Sequence, residues 1–360
     1  MDSCEIVLCG ARTLIRSSDE AFVRYARCHF APVLAEGPGE PEIEISFLRD
    51  DPGEPPDLRA DYDKVCRGVY AGGKGVVWND VPFLPGLRMT FARSGERMIV
   101  EAVYAPPRST LRSLKRAALR LAGRAAPRER FYFEIMYNLV YYPVFWRLRR
   151  RGIFPMHGAG IAALGRAIVV AGAQGTGKST LVAGLLAGGD SSFLSDNILL
   201  YDRDRVYPCH EPLRIDTETL ARMPRLETML DPVDVPVPLG RRAFNVARRF
   251  YLESASPDVV LVPRLSRGAT GLRPIARGAV MDRVREFNTL ADEIRSFDVF
   301  ASVLGAGTGA AGVRGEETRA LDALLSRARC FELTMRYGEH PAETAAALET
   351  ALAEDAGVSR

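Results

Sequence analysis

The sequence predicts an α/β protein in which an α+β amino-terminal domain and a basic helical connector precede a carboxy-terminal α/β domain. Three observations carry this. Strand-like runs separated by Gly-rich turns crowd the first 105 residues. A helical periodicity studded with arginine fills residues 106–151. From residue 152 onward, short apolar runs alternate with helical segments around one glycine-rich motif. The expected units are therefore 1–105, 106–151 and 152–360. With 47% hydrophobic and 26% charged residues, the 360-residue chain has the apolar material for a large core.

In the first unit, Glu5-Ile-Val-Leu-Cys-Gly10 and Glu42-Ile-Glu-Ile-Ser-Phe47 read as strands, the second by its alternation. Residues 18–34 read as a helix, with Ser18 as the N-cap and Glu20 near the positive end of the dipole. Residues 37–56 are looped around the second strand by their Gly and Pro. Runs 65–78, 87–92 and 98–105 suggest antiparallel strands, turned at Gly72-Gly73 and Ser94-Gly95.

Pro106-Pro107 closes that block. Leu111, Leu114, Ala118 and Leu121 then share one helical face, while Arg112, Arg116, Arg120 and Arg124 repeat along another. A second helix is expected over 128–151, with Pro143 as a kink. Residues 108–151 hold 12 Lys/Arg against Glu129 and Glu134, a local charge of +10 that leaves −7 on the rest of a chain carrying +3. Such asymmetry marks either a solvated helix face or a dock for an acidic partner. The net charge itself gives no reason to expect nucleic acid.

The six cysteines (Cys4, Cys9, Cys28, Cys66, Cys209 and Cys330) have neither metal-ligand spacing nor a disulfide framework. That suits a reducing compartment. The opening Met1-Asp2-Ser3-Cys4-Glu5 lacks a basic n-region, and the most apolar stretch, 131–146, contains Glu134 and is too short to span a bilayer. A soluble, cytoplasmic protein is the expectation.

In the third unit, Arg166-Ala-Ile-Val-Val-Ala-Gly172 reads as a buried strand and 180–187 as a helix closed by Gly188-Gly189. Residues 192–196, 198–201 and 258–262 are further strand-like runs. A helix over 316–327, a strand over 330–335 and a helix opening at Pro341 follow.

Between the first strand and helix lies Gly172-Ala173-Gln174-Gly175-Thr176-Gly177-Lys178-Ser179, followed by Thr180, which satisfies G-x-x-x-x-G-K-[ST]. The spacing has a chemical reason. Glycines let consecutive backbone N–H groups converge on phosphate oxygens, and the helix behind them adds partial positive charge. Lys178 reaches the β- and γ-phosphates and the Ser179 hydroxyl ligands Mg2+. Nucleoside triphosphate binding is the expected function of this segment.

Residues from about 150 to 355 also resemble the catalytic domain of HPr kinase/phosphorylase and its bacterial relatives. The likeness lies in Phe154-Pro-Met-His157-Gly158-Ala-Gly160, then the P-loop, then Phe193-Leu-Ser-Asp196-Asn197. Tyr207-Pro-Cys-His-Glu211-Pro-Leu-Arg214 and Cys330-Phe-Glu-Leu-Thr-Met-Arg-Tyr337 are weaker echoes. The resemblance implies a P-loop catalytic domain of HPr-kinase type and a phosphotransferase that uses ATP and Mg2+. Its acceptor would be a hydroxyl: a Ser of a protein or peptide, or a small molecule.

Residue by residue, the resemblance implies that Asp196 takes the proton from the attacking hydroxyl and that His157 donates to the γ-phosphate. Asn197 stands where the family commonly has a second Asp. Its amide oxygen still serves a metal, but it brings no charge and accepts no proton, which bears most on the reverse, phosphorolytic reaction. Glu211 is a candidate second metal ligand beside Ser179, the alternative being an ordinary surface acid, and Arg214, Arg241 and Arg242 are candidate phosphate contacts. Tyr251 and the aromatics of 131–146 read as core.

Two other functions fit the same motif. One is a P-loop ATPase or GTPase of another class, against which stand the missing acidic pair on a later strand and the missing guanine-reading N-K-x-D. The other is a regulatory module that binds nucleotide without turnover. The assembly state stays open, a homo-oligomer included.

Overall fold

The computed structural model describes residues 1–49, 61–73, 75–79, 81, 84, 86–105, 128–173, 175–233, 241–290, 293–294, 300 and 310–358. The arginine stripe of the expected connector, Arg112 to Arg124, and Gln174 of the glycine motif lie outside these residues. The protein is mixed α/β and divides into two units. The first comprises Met1–Arg147 with Ser296–Gly309, the second Leu148–Arg295 with Ala310–Arg360. Phe300, stacked on Phe91 at 4.5 Å, thus groups with the amino-terminal unit, whereas the sequence places it inside 152–360.

The first unit is an eight-stranded sheet. Its strands are β1 (Asp2–Leu8), β2 (Ala11–Ser17), β3 (Ile43–Arg49), β4 (Asp63–Cys66), β5 (Val69–Gly72), β6 (Gly75–Trp78), β7 (Leu87–Ser94) and β8 (Arg97–Tyr104). They lie in the order β1-β2-β3-β8-β7-β6-β5-β4. The pairs joined by tight turns are antiparallel, as expected, but β2–β3 and β3–β8 are parallel. Helix α1 (Glu20–His29) explains the first of these. The chain leaves β2, crosses through the helix and returns in the same direction. Alternation on β3 buries Ile43, Ile45 and Phe47, and Phe22 of α1 meets Phe47 at 4.7 Å between ring centroids.

The expected cap of α1 is off by one. Asp19, not Ser18, is the N-cap, its Oδ1 accepting from the Ala21 N–H at 3.2 Å. The helix also stops at His29 rather than 34, because Pro32 sits in a 3₁₀ turn, Ala31–Val33, and disfavours helix in the residue before it. Asp19 Oδ2 accepts from the Tyr132 hydroxyl at 2.6 Å and from Arg49 at 3.2 Å. Burial pushes its pKa up, but these donors pull it below the usual carboxylate value. Asp19→Ala is therefore expected to cost about 2–3 kcal/mol in urea unfolding, from a lost cap plus a charged hydrogen bond. Because the folded pKa is depressed, the wild-type advantage is present above the ordinary carboxylate pKa and fades as pH falls through the folded one. An advantage that is flat across acid pH would contradict this.

The expected helix over 128–151 consists of α2 (Arg128–Met136), a π turn (Tyr137–Tyr141) and α3 (Tyr142–Arg149). Pro143 has no N–H to give and its ring crowds the carbonyl four residues back. The wider turn just before it accommodates both faults. Of the aromatics expected to be core, Tyr132, Tyr141, Phe145 and Trp146 are buried, while Phe131, Phe133, Tyr137 and Tyr142 are half-buried.

The second unit carries an eight-stranded sheet, with seven strands in the order β13-β12-β9-β10-β17-β19-β18 and β11 pairing β9 off that path. These are β9 (Phe154–Ala163), β10 (Arg166–Ala171), β11 (Ser192–Ser195), β12 (Ile198–Tyr201), β13 (Val206–Pro208), β17 (Val259–Ser266), β18 (Gly271–Pro274) and β19 (Arg329–Arg336). A separate antiparallel sheet is made by β14 (Leu213–Asp216), β15 (Leu230–Val233) and β16 (Arg241–Val246), in the order β14-β16-β15, with the short helix α5 (Thr217–Arg222) following β14. The central strands β10, β17 and β19 are parallel, flanked by antiparallel β9 and β18.

Both faces of the central strands are covered. Ile168, Val170, Leu261, Leu333 and Met335 pack against α4 (Lys178–Ala187) and α8 (Pro341–Val358). Val169, Val260 and Val262 pack on the other side against α6 (Arg277–Phe287) and α7 (Ala310–Ser326). Burial on both faces is why these strands read as continuous apolar runs rather than alternating ones. Among the described residues no helix is long and apolar enough to cross a membrane. All six cysteines are free thiols.

Candidate functional site

At Ala171 the buried strand β10 ends and the chain curls through 172–177 into α4. Two positive φ angles make the curl, +80° at Gly175 and +88° at Gly177. Gly177 is also short of space, since a Cβ there would sit 2.8 Å from Met335 Cε. Gly177→Ala is thus expected to cost about 1–2 kcal/mol from left-handed backbone strain, read as a lower urea midpoint. The thioether can swing aside, so strain and not the clash sets the figure. An unchanged midpoint would show that the loop relaxes out of this conformation.

The Lys178 and Thr176 side chains turn back onto the loop. Lys178 Nζ donates to the carbonyls of Gly172 and Ala173, each at 2.8 Å, and Thr176 Oγ1 donates to the Ala173 carbonyl at 2.8 Å. Burial pulls the Lys178 pKa down, against the opposing pull of Asp196. Thr180 is exposed in the first turn of α4.

The neighbouring carboxylate arrives from β11. The register on β9 shifts between Phe193 and Ser195, and β12 resumes pairing at Ile198 opposite His157. Asp196 and Asn197 bow out between the two strands, Asn197 in the left-handed region at φ 75°. A bulge of this kind re-aims side chains. Here it brings Asp196 Oδ1 within 2.9 Å of the Ser179 Oγ, which donates to it. Gly160 of β9 lets this happen: a Cβ there would lie 3.0 Å from Leu199 and 3.2 Å from Leu194. The His-Gly-Ala-Gly pattern is in this respect a packing requirement.

Asp196 is buried, and burial pushes its pKa up. The Ser179 hydrogen bond pulls down, Glu211 pushes up, and Arg214 and Lys178 pull down; burial and Glu211 prevail. A carboxylate held this way is a stronger base than one in water.

Glu211 belongs to the same group of side chains. It is buried, accepts from the Asn197 Nδ2 at 2.9 Å and pairs with Arg214 at 2.6 Å. Of the candidate phosphate contacts, Arg214 is therefore committed to Glu211. Arg242 stacks over Phe244 at 5.1 Å, and Arg241 pairs across the small sheet with Asp216, so neither belongs to this group of contacts. Tyr251 packs on Phe193 and His210, in keeping with its reading as core. His210 itself is buried, and its pKa is pushed down to about 3 by burial and by Arg248.

His157 stands on β9 opposite Ile198. Its Nδ1 lies 3.3 Å from the Asn197 carbonyl and its Nε2 lies 3.1 Å from the Thr289 hydroxyl. A carbonyl only accepts, so Nδ1 carries the hydrogen and Nε2 of the neutral ring accepts from Thr289. Donation from Nε2 to a phosphate then requires release of Thr289.

Sequence reasoning missed Asn288. At the end of α6 its side chain substitutes for a missing strand: β10 covers β9 only as far as Gly158, and Asn288 takes over the free edge. Its Oδ1 accepts from the His157 N–H at 3.2 Å and its Nδ2 donates to the Pro155 carbonyl at 3.1 Å. An Asn closing a helix was the only local signal.

Among the described residues no three His, Cys, Asp or Glu side chains converge as a metal-binding group. What the site does gather is hard oxygen donors: the Ser179 hydroxyl, the Asp196 and Glu211 carboxylates and the Asn197 amide. That donor chemistry fits Mg2+ and not a thiophilic metal. No protein-family model matches the chain, and no curated protein matches it.

Proposed function

We propose that the chain is an ATP- and Mg2+-dependent kinase of HPr-kinase type, acting in the cytoplasm on a hydroxyl of a protein, a peptide or a small molecule. One contact carries this. The hydroxyl that follows the P-loop lysine, Ser179, lies 2.9 Å from Asp196, a buried carboxylate whose pKa is raised. This supports a reading in which a phosphate-binding loop and a base share one site, as phosphoryl transfer to an alcohol requires.

The steps follow from these groups. Backbone N–H groups of 172–179 and the positive end of α4 hold the triphosphate. Lys178 exchanges its two carbonyl partners for β- and γ-phosphate oxygens. The acceptor oxygen bonds to the γ-phosphorus, its proton passes to the Asp196 carboxylate, and the bond from γ-phosphorus to the β–γ bridging oxygen breaks to release ADP. Ser179, Glu211 and the Asn197 amide oxygen would hold Mg2+, the Asn197 nitrogen being spent on Glu211. When bound, Mg2+ offsets charge on the β- and γ-phosphate oxygens.

Incubation with γ-labelled ATP and hydroxyl-bearing acceptors tests this. The expected product is a labelled acceptor. Labelled free phosphate alone would mark an ATPase, and unconsumed ATP a binding module.

A further inference from the structure

The second unit orients any nucleotide held by its glycine loop. Asp196, Ser179 and His157 lie on the β9 and β11 side of β10. The reacting γ-phosphate end must face them. The base end therefore points the opposite way along the sheet, across the carboxyl ends of β17 and β19. In open α/β sheets that is the edge where ligands sit. Adjacent strands are about 4.8 Å apart, so β19 lies roughly 10 Å from β10, a span that a ribose and base cover.

An aromatic ring stands there. Phe331, Leu333 and Met335 alternate along β19 and bury against α4 and α8. Residue 337 is the next of that series. Its N–H extends the β17–β19 ladder by donating to the Ser266 carbonyl at 2.9 Å, so the two-residue alternation holds past the strand end. Met335 and Leu265 lie directly beneath the glycine loop, 2.8 and 3.8 Å from where a Gly177 Cβ would be. Tyr337 emerges one step beyond them at the rim and is 62% exposed. A large ring left in water has lost its burial, and with the backbone held by its bond to Ser266 only two side-chain torsions have to be ordered when something stacks on it.

Building on the nucleotide site proposed above, we infer that Tyr337 is the platform on which the base of the nucleoside triphosphate stacks. The triphosphate is then held from one side by the loop and Lys178, and the base from the other by the end of β19.

Calorimetric titration of the full chain with Mg·ATP and with inorganic tripolyphosphate tests this in wild type, Tyr337→Ala and Tyr337→Phe. Stacking is worth about 5- to 150-fold in affinity per base on removal of the ring. Tyr337→Ala should weaken ATP binding by that much and leave tripolyphosphate binding unchanged. Tyr337→Phe, which keeps the ring, should restore ATP binding to within about two-fold. Equal ATP affinity in wild type and Tyr337→Ala overturns the platform while the nucleotide site stands. Parallel loss of ATP and tripolyphosphate in Tyr337→Ala also overturns it, because the residue would then be supporting the loop. A wild type that binds neither ligand overturns the nucleotide site, and the platform with it.

Discussion

Replacing Asp196 by Asn is expected to leave ATP affinity within a few-fold of wild type and to slow phosphoryl transfer by about 10²–10⁴-fold. An alcohol is a very weak acid near neutrality, so the departing proton needs an acceptor in place as the oxygen attacks. Asp196 is the buried carboxylate beside the loop, and its pKa is raised, chiefly by burial. Asn keeps the shape and can still accept the Ser179 hydrogen bond through its amide oxygen, but it takes up no proton. Asn197 offers no substitute for the same reason. Single-turnover transfer with enzyme in excess, beside a binding titration, separates the two effects. Transfer at the wild-type rate would remove Asp196 from the role of base. Asn197→Asp removes the amide donor to Glu211 and sets two carboxylates together, so it should be tolerated with Mg2+ present, where a cation offsets the like charge.

Lys178→Met is the second large effect, an ATP affinity lower by on the order of 10²-fold. The wild-type ammonium is half-buried and bonded to two carbonyls, and burial lowers its pKa. In the proposed binding mode, taking up a triphosphate would exchange two neutral acceptors for charged ones at little further desolvation, which would favour binding. Methionine preserves the aliphatic stem and removes the charge. The readout is thermal: ATP should raise the melting temperature of wild type by mass action and leave that of Lys178→Met nearly unmoved at the same concentration. An equal rise in both proteins would mean that the lysine does not touch phosphate.

The sequence disclosed some of this geometry and hid the rest for reasons that can be traced to particular residues. The curl at 172–177 was legible because it is local: Gly175 and Gly177 adopt φ values that few other residues accept, and the helix follows at once. Asp196 was legible as the end of an apolar run, but its approach to Ser179 needs the register shift after Phe193, which nothing in the run announces. Arg214 could be picked out as a cation, yet its commitment to Glu211 depends on the turn between β13 and β14. Asn288 was invisible. Its partners Pro155 and His157 lie 133 and 131 residues away, and its role exists only because β10 stops at Gly158.

The same division runs through the fold. By itself, the sequence determined the elements whose cause lies within a few residues: the glycine turn, the apolar strands of the second unit, the break at Pro143 and the opening of α8 at Pro341. Tertiary structure decided which strands are neighbours. It made β2–β3 and β3–β8 parallel, set β11 against β9, stacked Phe300 on Phe91 of the first unit, and left Tyr337 exposed just past the end of β19. Backbone φ and capping are settled by neighbours along the chain, whereas strand pairing is settled by which arrangement buries both faces of a sheet and satisfies its hydrogen bonds, a choice made by residues far apart in sequence.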